Sequence, residues 1–279
     1  VHDRRRVVAE RVARRTGPCH GRLPKHNTAE DDMPGSIRIG IGGWTFEPWR
    51  GVFYPDGLAQ KRELEFASRR LTAIEINGTY YSTFKPDSWS KWRDETPDDF
   101  VFTVKASRFS TNRRVLAEAG ESVTKFLGQG MTLLGAKLGP INWQFMPTKQ
   151  FDAADFGAFL ALLPAERDGV RLRHAVEVRH ASFDCDAFRA LCAEHGVAIV
   201  HAEGAEYPTI APASVGFTYA RLMGSRDEAA GFSDAELDAY AERAKAWSAA
   251  GDVFAFFISG TKVRNPAAAE ALIGRLGGR

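Results

Sequence analysis

From Ile37 onward the chain repeats one pattern, a short apolar, β-branched run followed by a longer segment whose apolar residues recur at helical spacing. Short runs of this kind read as strands and the spaced segments as helices, so their alternation predicts βα units around a parallel sheet. Eight strands are predicted, over 37–43, 72–77, 100–106, 132–138, 174–179, 197–201, 217–222 and 253–259. Helices are predicted over 58–70, 88–95, 121–127, 153–163, 184–195, 234–249 and 267–276, with start signals at Asp87, Asp152, Ser233 and Pro266. Segment 202–214 is rich in Pro, Ala and Gly and predicts no helix. Gly40, Gly42 and Gly43 lie within or at the end of the first strand rather than opening a helix, so no dinucleotide fingerprint follows it. The expected fold class is therefore α/β, a single (β/α)8 TIM-like barrel with one irregular βα unit after strand six.

Composition agrees with one large core: of 279 residues, 44% are hydrophobic and 26% charged. Much of the basic excess behind the formal charge of +2 lies in residues 1–35, which leaves the barrel near neutral, and nucleic-acid binding is not indicated for it. That first segment is Arg-rich, then rich in Pro, Gly, His, Asn and Asp, with little periodicity. It is expected to be a mostly disordered extension before a barrel domain over 36–279. Val1 is what a GTG start codon read literally would give, and Met33, just before the first strand, is the expected alternative start. Cys19, Cys185 and Cys192 are too few and too irregularly spaced for a disulfide framework or a thiolate metal cage. With no apolar run near the roughly 18 residues of a membrane span and no signal-peptide order at the start, a cytoplasmic protein without membrane contact is expected. Nothing in the pattern specifies an oligomeric state.

Period-two alternation then separates the strand faces. Glu75 and Asn77 share one phase of the second strand, Thr103 and Lys105 of the third, Glu177 and Arg179 of the fifth, and Tyr219 and Arg221 of the seventh. The sixth offers His201 and Glu203 beyond Ile199. Charges of both signs near C-terminal strand ends imply either a mutually paired network or a ligand pocket, because a lone buried charge is costly. Glu75 and Glu177 are expected to face each other as acid/base candidates, with Lys105, Arg179 and Arg221 as charge stabilisers. Trp44 and Tyr80 are expected walls for a ligand; Asn77, Gln144, His180, His201 and Glu203 complete the expected binding set, His180 being equally suited to cap the helix after it. A metal set of Glu75, Glu177, His201 and Glu203 is chemically possible. The adjacent Lys and Arg compete for the carboxylates, so neither metal nor cofactor is expected.

At these residues the sequence resembles the YecE-like family, domain of unknown function 72. The matching stretches include Gly42-Gly-Trp-Thr, Trp49-Arg-Gly-Val-Phe-Tyr-Pro, Glu75-Ile-Asn-Gly-Thr-Tyr-Tyr, Phe100-Val-Phe-Thr-Val-Lys, Lys137-Leu-Gly-Pro, Glu177-Val-Arg-His-Ala-Ser-Phe and Tyr219-Ala-Arg-Leu-Met-Gly. The resemblance implies a TIM-like barrel and supplies no activity. Met223 stands where the family often has His, so no role for that His carries over, and Phe257-Ile-Ser-Gly replaces a frequent Asn-containing ending. The expected function is an enzyme acting on a small polar, anionic substrate. The alternatives are a non-catalytic ligand-binding or protein-interaction module, and a metal-dependent isomerase or endonuclease-like enzyme.

Overall fold

A computed structural model describes residues 34–204 and 206–278; Cys19, Met33 and the expected extension up to residue 33 lie outside them. The strands are β1 (Ile37–Gly42), β2 (Ala73–Ile76), β3 (Val101–Lys105), β4 (Leu138–Gln144), β5 (Glu166–Arg167), β6 (Val170–Arg171), β7 (His174–Glu177), β8 (Ala198–Ile199), β9 (His201–Glu203), β10 (Phe217–Leu222) and β11 (Asp252–Phe257). β5 and β6 form a separate antiparallel hairpin. The other nine form one sheet in the order β8-β7-β4-β3-β2-β1-β11-β10-β9, with every pairing parallel. Its two ends are halves of one strand: β8 pairs with β7, β9 pairs with β10, and only Val200 separates them. Nine segments therefore make a nearly closed barrel of eight strands, its two ends meeting at the broken strand.

The helices are α1 (Glu63–Arg70), α2 (Pro86–Glu95), α3 (Arg108–Thr111), α4 (Gly120–Leu127), α5 (Ala153–Leu160), α6 (Asp186–Glu194), α7 (Asp234–Ser248) and α8 (Asn265–Arg275). No helix occurs between β9 and β10 among the described residues, which is the expected irregular unit. Asp152 caps α5 by accepting from the Asp155 N–H, and Ser233 with Glu236 forms a full capping box on α7. Asp87 is not a cap: α2 begins one residue earlier, at Pro86, whose missing N–H costs nothing in a first turn.

The fourth strand lies further along the chain than predicted. Met131–Lys137 is a 3-10 helix, interrupted at Gly135, and the strand starts at Leu138. Gly139 and Pro140 are inside it, at a bulge where four residues of β4 (Leu138 to Ile141) span three of β3 (Phe102 to Val104). A bulge tolerates a residue with no N–H to donate, so this proline does not end the strand.

Two apolar layers define which way side chains point. An outer cluster, including Ile39, Ile74, Phe102, Val104, Ile141, Trp143 and Val176, packs between strands and helices. An inner cluster of Ala73, Ala175, Ala198, Val200, Phe217, Tyr219, Phe254 and Phe256 fills the barrel. Residues two positions beyond inner members therefore point into the mouth, and these include Glu75, Glu177 and Arg221. No described helix is long and apolar enough to cross a membrane.

Candidate functional site

The inward phase of β2, β4, β7 and β10 brings together a buried charge network. Arg221, buried, bridges both carboxylates: its Nη2 donates to Glu75 Oε1 at 3.0 Å and its Nη1 to Glu177 Oε2 at 2.5 Å. Arg179 clamps the other oxygen of Glu177, with Nη2 at 2.6 Å and Nε at 2.8 Å from Oε1. Tyr219 donates its hydroxyl to Glu75 Oε2 at 2.6 Å, and its oxygen lies 2.9 Å from Thr103 Oγ1. Asn142 reaches both acids from below, its Nδ2 3.3 Å from Glu177 Oε2 and 3.5 Å from Glu75 Oε2. Gln144 Oε1 accepts from Arg179 Nη2 at 2.8 Å and from Arg221 Nη1 at 3.2 Å, which fixes the two guanidinium groups relative to each other.

All four carboxylate oxygens are thus engaged, and the electrostatics follow. Burial pushes the Glu177 carboxyl up, but Arg221, Arg179 and Lys105 outweigh it and hold the group at about 2. Burial and the Glu75 carboxylate push the Tyr219 phenol well above its usual range, so it stays a donor. Burial opposes the charge on Arg221, and Glu177 and Glu75 more than restore it. The two carboxylates thus form a frame, with Glu177 ionised, that orients two guanidinium groups.

Lys105 is different. It ends β3 on the inward phase, lines the cleft, and makes no ion pair within 4.0 Å among the described residues. Its Nζ sits 4.4 Å from the centre of the Tyr80 ring. Burial first, then the charges of Arg221 and Arg179, push it down to about 8, with Glu75 and Glu177 opposing. Its backbone is pinned where Thr79 Oγ1 donates to the Lys105 carbonyl at 2.6 Å.

Above this floor opens a cleft of about 770 Å³ lined by Trp44, Asn77, Tyr80, Gln144, Lys262 and others. Trp44 is half-buried and held edge-on by Trp92, with ring centres 5.2 Å apart. Tyr80 accepts from Asn112 Nδ2 at 3.2 Å, while Lys262 Nζ lies 4.2 Å from the Phe46 ring. Phe53 and Phe145, by contrast, pack by aromatic contacts into or against the outer apolar cluster.

Three members of the expected set are not in the cleft. His201 and Glu203 point outward onto α7, where His201 meets Trp247 edge-on (5.3 Å) and Glu203 meets Arg243 and Tyr240. The reason is the phase of the broken strand: Ala198 and Val200 fill the narrow barrel, so the odd positions face out. His201 Nε2 lies 2.8 Å from Glu203 Oε2, and that bond, with Arg243, holds Glu203 at about 2 against its burial. His180 caps the turn Ala181–Phe183, with Nδ1 accepting from the Ser182 N–H at 3.2 Å. The four-residue metal set is consequently not assembled, and no described cluster of three or more His, Cys, Asp or Glu side chains has ligand geometry. Asn142 escaped sequence reading because the fourth strand was placed too early; the alternation of Pro140, Asn142 and Gln144 was the signal that could have found it.

One test of this division is Glu203→Gln. It should lower the melting temperature at pH 7 through the lost Arg243 and His201 contacts, yet leave ligand response in the cleft unchanged. A changed ligand response would place Glu203 functionally inside the site.

Fold and site together define a TIM-like α/β barrel with a guanidinium-carboxylate network and, at its C-terminal mouth, a lysine that makes no ion pair among the described residues. Residues 38–279 match the family described as protein of unknown function DUF72, and the chain belongs to that family. It is 31% identical over 150 residues to the UPF0759 protein YecE of Escherichia coli K12, an alignment covering 53% of this chain and 50% of YecE. The chain thus spans about half the length of the curated relatives it matches. The DUF72 protein TM1631 of Thermotoga maritima superimposes with a TM-score of 0.67 at 23% identity, covering 85% of this chain and 96% of its own. EF0366 of Enterococcus faecalis gives 0.68 at 16%, covering 87% and 98%. At these identities the likeness is one of fold.

Proposed function

We propose that this protein is an enzyme acting on a small anionic substrate with a flat or apolar part, held between Trp44 and Tyr80. The observation that carries the reading is the Lys105 amine, facing the cleft with no carboxylate partner among the described residues, beside two oriented guanidinium groups. Among Glu75, Glu177, Lys105, Arg179 and Arg221 the formal sum is +1, and Lys262 at the rim adds another positive charge, so an anion complements the cleft. In this reading Lys105 carries the proton-transfer chemistry expected of the carboxylates, because its amine is near half-neutral at pH 8, whereas Glu177 stays ionised. Glu75 and Glu177 hold Arg221 and Arg179, which receive the anion together with Gln144 and Asn77. The free thiols of Cys185 and Cys192 support the cytoplasmic setting included in the proposal.

A second reading, a binding module without chemistry, is favoured by one fact: the carboxylates are saturated without ligand. A thermal-shift series of aromatic and aliphatic carboxylates and phosphates, on the wild type and Lys105→Gln, tests the first reading. Ligands that bind only the folded state stabilise it by about 2.7 kcal/mol at a hundred times Kd. Anions should raise the melting temperature, less so at high salt, and Lys105→Gln should lose the response. Stabilisation only by neutral compounds, or an undiminished response in Lys105→Gln, would refute the assignment. Turnover of a bound anion separates the two readings.

A further inference from the structure

We propose that Lys105 is a nucleophile toward carbonyl compounds, forming an imine with a small 2-oxo acid whose carboxylate sits on Arg179. The inference rests on the anion-site reading above and deepens it by naming the substrate class and the bond formed.

Three features of the cleft converge on it. The Lys105 side chain reaches the cleft from the end of β3, and the Tyr80 ring, 4.4 Å away, covers the amine on one side. The carboxylates that would keep it an ammonium are taken: Glu177 by Arg179 and Arg221, and Glu75 by Arg221 and Tyr219. A lysine that is desolvated and placed next to other cations is the arrangement that frees an amine lone pair for Schiff-base chemistry. Arg179 supplies the second half of the site. It is partly exposed to the cleft, with 15% of its side chain accessible, and Gln144 and Glu177 fix its plane. In a 2-oxo acid the carbonyl carbon is bonded directly to the carboxylate, so a carboxylate on Arg179 brings that carbon toward the neighbouring amine. A residue that only shuttles protons needs no such pairing of a free amine with an oriented anion receptor.

The step balances without a redox partner. The Lys105 Nζ lone pair attacks the carbonyl carbon, forming the C–N bond, and the π pair moves to oxygen. That oxygen takes a proton and the nitrogen loses one, giving a neutral carbinolamine. Departure of the protonated hydroxyl as water leaves the C=N bond and a protonated imine. The positive iminium then lies beside Glu75 and Glu177, whose charges favour it.

The test uses the full chain with pyruvate and cyanoborohydride, which reduces an imine to a stable secondary amine. The expected product is one carboxyethyl adduct per chain, mapped by peptide mass spectrometry to Lys105 and absent in Lys105→Arg. Its initial rate should fall on the order of 50-fold between pH 8 and pH 6, following the neutral fraction of an amine that titrates near 8. Arg179→Gln should slow adduct formation, since it removes the carboxylate receptor. Adducts scattered over surface lysines, or none at Lys105, overturn the proposal. Parallel thermal shifts with lactate, which has the same anion and no carbonyl, separate the two levels. Stabilisation by lactate without an adduct defeats the nucleophile and spares the anion site, whereas neither stabilisation nor adduct defeats both.

Discussion

Replacing Arg221 by Met should destabilise the protein by about 3–5 kcal/mol at neutral pH, a fall in Tm on the order of 10 °C for a domain of this size. The methionine fills much of the same volume, so the loss is electrostatic. Glu75 Oε1 loses its 3.0 Å partner and Glu177 Oε2 its 2.5 Å partner, while both side chains remain wholly buried. What remains is Tyr219 and Asn142 for Glu75, and Arg179 and Asn142 for Glu177, one cation where there were two. The pH dependence has a definite sign. In the wild type the Glu177 carboxyl is depressed from 4.5 to about 2, so its contribution is full above about 4.5 and is lost as pH falls toward 2. In the variant burial is less opposed, the carboxyl titrates higher, and protonation relieves the strain sooner. Urea unfolding at pH 7 and pH 3 should therefore show a gap between the two proteins that narrows in acid. A gap below about 1 kcal/mol at pH 7, or one that widens at pH 3, would mean that the network is not the frame inferred here.

Gly40→Ala should be worse still, with the protein failing to accumulate in folded form. Gly40 pairs with Ala73 where β1 and β2 run side by side, and a Cβ there would lie 1.9 Å from the Ala73 carbonyl oxygen and 2.6 Å from its carbon. Both atoms are backbone, so no rotamer change relieves the clash. The strands would have to separate, at the place where Thr72 N–H donates to the Ile39 carbonyl and Thr72 Oγ1 accepts from the Ile39 N–H. In a closed barrel that displacement spreads to every strand, and a loss above about 4 kcal/mol is expected. Gly274→Ala is the matched control: it lies within α8, nothing stands within 4 Å of its Cβ position, and helix propensity predicts a gain of up to about 1 kcal/mol. Soluble yield and near-ultraviolet circular dichroism distinguish the outcomes. A folded, cooperative Gly40→Ala would show that β1 and β2 are not in this register.

The residues that carry these effects were unequally visible in the chain. Glu75, Lys105, Glu177, Arg179 and Arg221 stood out because each is a charge on one phase of an otherwise apolar strand, and the structure gathers all five. Strand Phe217–Leu222 was predicted to the residue, since an aromatic and aliphatic run with Tyr219 and Arg221 on one phase stands between loop segments. The fourth strand was displaced because Leu133 and Leu134 imitate a strand while lying on a 3-10 helix, and because Gly139-Pro140 looks like a turn. That displacement hid Asn142 and moved Gln144 from a strand end into a loop.

The chain's own pattern determined the architecture and its chemistry-bearing strand ends, because period-two alternation and helical spacing are local properties that burial imposes on every βα unit. Tertiary structure alone decided three things. It set the phase of the broken sixth strand, which sends His201 and Glu203 out to Trp247, Tyr240 and Arg243 on α7. It assigned partners, tying Glu75 and Glu177 to Arg221 from a strand 146 and 44 residues away. It thereby left Lys105 with no ion-pair partner among the described residues. Which charges pair depends on closing the sheet into a barrel, and closure is a global constraint that no local spacing records.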